Sequence, residues 1–240
     1  MPAERARFIL VETSHAGNVG AAARALKVMG FADLVLVAPR WADVKFRPEA
    51  IALASGATDV LDGARVVPSL EEALDGITYA CATAMTPRDF GPPTFAPRDL
   101  FADLASTAHR VAFVFGSERF GLSNEDVYGC HACLSIPANP GYGSLNLAQA
   151  VQLVAYDWRQ AIGGFAVTPR TEPGVTADVL AVRGLLAHWQ QALTTLGFLD
   201  PQAPRKLMSR LHRLANRAAL TVEEVQILRG IARAIDGQDR

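Results

Sequence analysis

Hydrophobic positions in the first half of the chain follow two rhythms. Short continuous runs occur at Phe8 to Val11, Leu34 to Val37, Tyr79 to Ala82 and Val111 to Phe115, and Arg65 to Val67 reads as a further short strand. Between them lie stretches of helical character, Val19 to Met29, Glu49 to Ser55 and Leu70 to Leu74. Strands that are apolar at almost every position are buried on both faces, and their alternation with helices predicts an α/β domain built on a parallel sheet with helices on both faces. A further strand is expected at Leu134 to Ile136, then a helix from Leu145 to Trp158 with Ser144 as its N-cap.

The pattern then changes. Gly163-Gly164, Pro169 and Pro173-Gly174 form a breaker-rich stretch that reads as a linker. Beyond it, Val179, Val182, Leu186, Trp189, Leu193 and Leu196 repeat at alternating steps of three and four, a narrow apolar seam suited to helix packing. Thr221-Val-Glu-Glu224 is a capping box that opens a last helix through Ile235. The expected organisation is an α/β domain over 1–162, a linker over 163–175 and a small all-helical extension over 176–240.

Composition narrows the classes. With 240 residues, 50% hydrophobic and 20% charged, the chain has ample material for a packed core. Its net charge of −1 gives no global attraction to nucleic acid or to acidic membranes. No apolar run reaches the ~18 residues of a membrane span, and the first residues lack a signal-peptide core, so a soluble cytoplasmic protein without a membrane partner is expected. Cys130-His-Ala-Cys133 has redox or half-zinc spacing, but no second ligand pair matches it. The reading is buried small hydrophobes beside a strand, with no metal.

Ligands of open parallel sheets bind beyond the carboxyl ends of the strands. Three glycine-bearing loops follow strands here: Thr13-Ser-His-Ala-Gly-Asn-Val-Gly20, Gly116-Ser-Glu-Arg-Phe-Gly-Leu122, and Pro137-Ala-Asn-Pro-Gly-Tyr-Gly143. Ser123 and Asp126 mark a helix start after the second. The first loop, with Gly17, Gly20 and Ala23, also reads as a degraded dinucleotide fingerprint. However, its glycines are misspaced and no acid closes the next strand, leaving only Arg40 for a 2′-phosphate. Near the C-terminus, Arg205 to Arg217 holds five basic residues and no acid, with Lys206, Arg210, Arg213 and Arg217 on one helical stripe beside Leu207, Leu211, Leu214 and Ala218. A local all-basic stripe is the footprint of phosphate contact.

These loops carry a resemblance. Asn18-Val-Gly-Ala-Ala-Ala-Arg24, Phe115-Gly-Ser-Glu118 with Gly121-Leu122, and Ile136-Pro with Tyr142-Gly-Ser144-Leu-Asn146-Leu-Ala-Gln-Ala-Val151 resemble the three motifs of the SPOUT-class, TrmH-like RNA 2′-O-ribose methyltransferases. The segment from Gly197-Phe-Leu-Asp-Pro201 to Leu228-Arg-Gly230 resembles the C-terminal extension of the TrmJ branch, which methylates nucleotide 32 of the tRNA anticodon loop.

The resemblance implies a C-terminal trefoil knot in the α/β domain, a homodimer, S-adenosyl-L-methionine as cofactor and tRNA as partner. Cofactor contacts are implied at Thr83, Ala84, Met85, Gly116, Ile136, Gly143, Ser144 and Leu145, and the catalytic set at Asn18, Arg24, Glu118, Ser144 and Asn146. A guanidinium, with a pKa above ~12, is a poor base, so Arg24 is expected to clamp phosphate and favour the developing 2′-oxyanion. Glu118 is expected to structure the pocket, and Ser144 and Asn146 to sit where helix N-terminal N–H groups meet the ribose. After the fourth strand the branch often carries several arginines; this chain keeps Arg88, the expected RNA contact there, alongside Lys206, Arg210, Arg213 and Arg217. The alternatives are the same chemistry on another tRNA nucleotide or on ribosomal RNA and, from another class, a catalytically silent RNA-binding dimer.

Overall fold

The computed structural model describes residues 5–86, 88–168 and 174–237. The chain divides into two compact units, Met1–Ala166 and Val167–Arg240. The breakers Pro169 and Pro173 lie outside the described residues.

In the first unit, seven strands among the described residues form one parallel sheet in the order β3-β2-β1-β6-β4-β7-β5. They are β1 (Ala6–Val11), β2 (Asp33–Val37), β3 (Arg65–Val67), β4 (Tyr79–Thr83), β5 (Thr94–Phe95), β6 (Val111–Phe115) and β7 (Ala132–Leu134). The central strands β1 and β6 are buried along their whole length and are apolar throughout except at Arg7, which is buried in a pair with Asp33 and donates to the carbonyls of Ala73 and Asp75. One face is covered by α1 (Ala16–Val28), α2 (Pro48–Ala54), α3 (Thr58–Gly63), α5 (Pro97–Leu104) and α7 (Leu147–Ala161). The other carries α4 (Leu70–Ala73) and α6 (Asn124–Tyr128). On the thicker face Phe8, Phe101, Phe113 and Trp158 pack ring on ring, with centroids 5.1 to 5.5 Å apart.

Four sequence expectations need correction. Helix α1 begins at Ala16, so Gly17, Asn18 and Gly20 are helical rather than part of a phosphate-cradling loop. Gly20 serves packing: a Cβ there would run into the backbone of Ala50, so its absence lets α1 lie close against α2. That use of the glycines removes the dinucleotide reading. Strand β7 ends at Leu134, two residues earlier than expected, because its ladder pairs Ala132, Cys133 and Leu134 with Cys81, Ala82 and Thr83. The cap of α7 is Asn146, whose Oδ1 accepts from the N–H of Ala148 at 2.9 Å; Ser144 lies outside the helix. Finally, α3, α5 and β5 had no counterpart in the pattern. In α5, Pro97 presets the first turn while Phe101 and Leu104 supply a single buried side.

All three cysteines are buried and unbridged. Burial pushes the Cys130 thiol up to about 12, and the thiols of Cys81 and Cys133 also upward. Thiols held in that form pack as small hydrophobes.

The second unit contains α8 (Val179–Thr195), α9 (Leu207–Ala218) and α10 (Val222–Asp236). The seam of α8 is buried at Leu186 and Leu193 but exposed at its ends, Val179 and Leu196. Trp189 donates its indole N–H to the carbonyl of Leu228 at 3.0 Å, which joins α8 to α10. The capping box at Thr221 and Glu224 forms in both directions. On α9 the inward side is Leu207, Met208, Leu211 and Ala215, not Leu214 and Ala218, which are exposed.

Candidate active site

The carboxyl ends of β1, β4, β6 and β7 meet at one edge of the sheet, and the chain turns sharply there. Glu12 and Ala38 leave β1 and β2 with φ of 51° and 41°, a left-handed geometry that non-glycine residues adopt only where tertiary contacts enforce it. The turn after Glu12 delivers Thr13, Ser14 and His15 toward Glu118, which follows shortly after the end of β6.

Glu118 is the hub of this edge. Its Oε1 accepts from Asn18 Nδ2 at 2.7 Å, from Thr13 Oγ1 at 3.0 Å and from the His15 N–H at 3.2 Å. Its Oε2 accepts from the N–H and the hydroxyl of Ser14, both at 2.8 Å. The carboxylate therefore covers the start of α1, where His15 supplies no side-chain cap of its own. Burial alone would raise its pKa, but the hydrogen bonds from Asn18 and Ser14 prevail and hold it down to about 2. Glu118 is thus an anion whose oxygens are engaged by five donors, which makes it a weak proton acceptor near neutral pH.

The network continues across the site. Asn18 turns its remaining oxygen, Oδ1, to Asn146, whose Nδ2 donates to it at 3.0 Å. Asn146 in turn caps α7. One hydrogen-bonded chain, Glu118 to Asn18 to Asn146, thereby ties together the starts of two helices and the turn after β6.

Beside Glu118 opens a cleft of about 370 Å³, a size suited to a small organic ligand. Of the residues expected to hold cofactor, Thr83, Ala84, Met85, Ile136, Gly143, Ser144 and Leu145 line it, together with Glu118 and Arg88. Gly116 does not. A Cβ there would collide with the backbone of Gly121 and Leu122, so Gly116 lets the 117–121 turn fold back and form a wall. That turn is stiffened by paired backbone hydrogen bonds between Ser117 and Gly121, at 3.2 and 2.9 Å. Ser117, Arg119, Phe120, Leu122 and Ala150 also line the cleft and were not foreseen. All but Ala150 follow Gly116 closely, so proximity to the motif was the available signal. The buried Nε of Arg88 has no partner and belongs to this lining, so a donor stands ready for an acceptor that enters.

The remaining expected residues lie elsewhere. Arg24 is exposed on α1, outside the cleft, with no hydrogen bond or ion pair among the described residues. Lys206, Arg210, Arg213 and Arg217 are all exposed along α9 or at its start. A larger cavity, about 690 Å³, lies between α4 and α6; its wall carries Glu71, Glu72, Asp75, Glu125 and Asp126 and none of the motif residues. Among the described residues no cluster of side chains could hold a metal ion, and no helix is long and apolar enough to cross a membrane.

Comparison with known proteins places this geometry in a family. Residues 5–156 match the SpoU rRNA Methylase family, and residues 181–240 match the C-terminal domain of tRNA methyltransferase TrmJ. A tRNA (cytidine/uridine/adenosine-2′-O-)-methyltransferase TrmJ from Pseudomonas aeruginosa is 43% identical over 95% of this chain and 92% of its own. The crystal structure of TrmJ from Z. mobilis superposes with a TM-score of 0.81, at 33% identity, over 95% of this chain and 98% of its own. A SpoU methyltransferase of Streptomyces viridochromogenes, solved in complex with AdoMet, shares the fold at 23% identity and a TM-score of 0.52, over 66% of this chain and 58% of its own.

Proposed function

Because the chain belongs to the SpoU rRNA Methylase family and ends in a match to the TrmJ C-terminal domain, we propose that it transfers methyl from S-adenosyl-L-methionine to a ribose 2′-oxygen of tRNA, at nucleotide 32 of the anticodon loop. The observation that carries this reading is the chain Glu118–Asn18–Asn146 beside a cleft lined by the residues expected to hold cofactor.

The cleft suits the cofactor. Ala84, Leu122, Ile136 and Leu145 offer apolar wall to a flat base, while the unpartnered Arg88 Nε and the Ser144 side chain offer polar contacts. When bound, the cofactor supplies an electrophilic methyl group on sulfur. Everything else falls to the protein: in-line placement of the acceptor oxygen and stabilisation of the charge that grows on it. Glu118 is a positioning residue that locks Asn18. Asn18 and Asn146 present amide groups toward the ribose, and Ser144 offers its hydroxyl at the same edge. Arg24, without an internal partner among the described residues, clamps phosphate and favours the oxyanion. Arg88 and the α9 stripe hold RNA by its phosphates.

The family's knot has topological support. Strand β7 lies between β4 and β5, although β5 follows β4 along the chain. Gly143 approaches so near Met85 that a Cβ there would lie 3.4 Å from its sulfur. We infer that the segment leaving β7 threads through the β4–β5 connection, forming a trefoil knot. Two copies join through α1 and α7, where Val28, Leu153 and Tyr156 remain exposed. Residues 1–162 form the methyltransferase domain, 163–175 the linker and 176–240 the tRNA-binding extension of a cytoplasmic enzyme.

The test is nucleoside mapping by mass spectrometry of unmodified tRNA incubated with the protein and labelled S-adenosyl-L-methionine. Label on the ribose of nucleotide 32 is expected. Ribose label at another nucleotide would overturn the position, and cofactor binding without transfer would make the chain a silent RNA binder.

A further inference from the structure

A second cleft, of about 510 Å³, lies against the other end of the hydrogen-bonded chain. Asn18, Asn146 and His15 line it on one side, and Trp41, Arg47, Glu49 and Leu53 on the other. Glu118 lines the first cleft, and both asparagines that its network orders line the second. The two clefts therefore share one set of hydrogen bonds.

The outer wall is built on Trp41, whose half-buried indole packs against the core. The guanidinium carbon of Arg47 stands 4.3 Å from the ring centroid, and that of Arg40 stands 4.8 Å away. Arg47 Nε also donates to Asp43 at 3.2 Å. A guanidinium laid on a fixed aromatic ring loses little freedom on binding, and its terminal N–H groups remain available for a bidentate pair of phosphate oxygens. The wall is also in register with the active site: the Arg40 N–H donates to the Thr13 carbonyl at 3.0 Å, and the Thr13 hydroxyl donates to Glu118. Glu49 is exposed, has no side-chain hydrogen-bond partner among the described residues, and offers an acceptor to a base edge.

We propose that this second cleft seats the acceptor nucleotide, a single-stranded RNA residue whose phosphate lies on the Arg47–Trp41 wall and whose ribose meets Asn18 and Asn146. The inference rests on the methyltransferase reading above and adds to it the seat of the substrate. A cleft of this size admits one nucleotide splayed from its stack rather than a duplex, and loop nucleotides are the ones RNA-modifying proteins splay. Arg47, with Arg40 on the same ring, supplies the guanidinium that meets the phosphate, and the position of this wall past Asn18 and Asn146 leaves the first cleft free for the methyl donor.

The experiment uses the full chain with Arg47→Ala, Arg40→Ala/Arg47→Ala and Arg47→Lys, all of which leave Trp41 and its contact with the core in place. An unmodified tRNA transcript is the RNA probe and S-adenosylhomocysteine the cofactor probe. In the double variant KM for tRNA is expected to rise by about tenfold or more with kcat changing less than about threefold, the cost of removing a charge-assisted phosphate interaction. The slope of log affinity against log salt should fall by about 0.7 for each single-strand phosphate no longer neutralised. S-Adenosylhomocysteine affinity should stay at the wild-type value, and Arg47→Lys should fall between, keeping the charge without the flat stack. An unchanged KM and salt slope in the double variant would overturn the proposal while leaving the methyltransferase reading intact. If the wild-type chain transfers no methyl, that reading fails on its own. Direct binding of the same transcript then decides the cleft: loss of affinity in the double variant sustains it as an RNA seat, and unchanged affinity removes it.

Discussion

Asn146 donates from Nδ2 to Oδ1 of Asn18 at 3.0 Å, joining residues 128 positions apart in sequence. Both amides are engaged at their other ends as well: Asn18 gives its own Nδ2 to Glu118, and Asn146 gives its oxygen to the start of α7. One bond thus fixes the start of α1 against the start of α7, and it does so in the lining of the second cleft.

That bond can be separated from the cap. Asn146→Asp keeps a good N-cap acceptor but loses the donor, so stability should stay within about 0.5 kcal/mol of wild type, whereas Asn146→Ala should lose about 1–2 kcal/mol. Both should slow methyl transfer by roughly tenfold or more, about 1.4 kcal/mol of barrier. Thermal melts paired with single-turnover rates check this, and a full rate in Asn146→Asp would show that the bond to Asn18 is dispensable.

Glu118 makes stability depend on pH in a defined window. Its carboxyl is held near 2 in the folded protein, against an ordinary 4.5. The ionised form therefore stabilises the fold fully above about pH 4.5, and this contribution is lost as pH falls toward 2. Glu118→Gln removes the charge and leaves several of its five donors poorly paired, at a cost of about 1–3 kcal/mol near neutral pH. Melting temperatures from about pH 2 to about pH 7 should show a smaller drop for the variant than for wild type, and parallel curves would contradict the assigned ionisation.

Arg24 has no internal partner among the described residues. Arg24→Ala should leave the melting transition within about 0.5 kcal/mol of wild type, the usual range for a surface change. S-Adenosylhomocysteine affinity should be preserved and turnover abolished. Failure to bind the cofactor, measured by calorimetry, would instead place Arg24 in the cofactor site.

Reversing charge at Arg210 and Arg213 tests the α9 stripe. Both are exposed, so Arg210→Glu/Arg213→Glu should fold normally. Its tRNA affinity should fall, and the salt slope should shrink by about 0.7–0.9 for each phosphate that the stripe no longer neutralises. A filter-binding titration across salt concentrations reads both, and an unchanged slope would show that the stripe does not face RNA.

Gly20 should tolerate no side chain. Its missing Cβ position is filled by the backbone of Ala50, so Gly20→Ala must force α1 away from α2, an overpacking cost of about 1–3 kcal/mol or more. Helix propensity alone predicts the opposite sign, since alanine favours a helix over glycine by about 1 kcal/mol. A denaturant midpoint distinguishes the two.

Several features were legible in the sequence because they depend on local order. The apolar runs Phe8 to Val11 in β1 and Val111 to Phe115 in β6 announced strands buried on both faces, and the capping box at Thr221 announced the start of α10. Motif spacing also marked the residues that line the first cleft, since a loop leaving a parallel strand projects its side chains at the carboxyl edge whatever surrounds it. Helix α5 and strand β5 escaped because they are short and follow Pro92-Pro93, where proline reads as a break although Pro97 opens a helix.

Tertiary structure decided the rest. Gly17 and Gly20 look like loop glycines until α2 is packed against them, because only a neighbouring segment shows that the missing Cβ is a contact rather than a freedom. Ser144 and Asn146 are equivalent as caps in sequence; the choice went to Asn146 because it alone reaches Asn18 while holding Ala148. Trp41 and Arg47 carry no motif, yet they form the wall of the second cleft. The sequence by itself determined which elements form and which residue types gather at the sheet edge, since burial pattern and capping act over a few neighbouring residues. Which of them meet was settled only in three dimensions, because hydrogen bonds between residues far apart in the chain depend on how helices and strands pack.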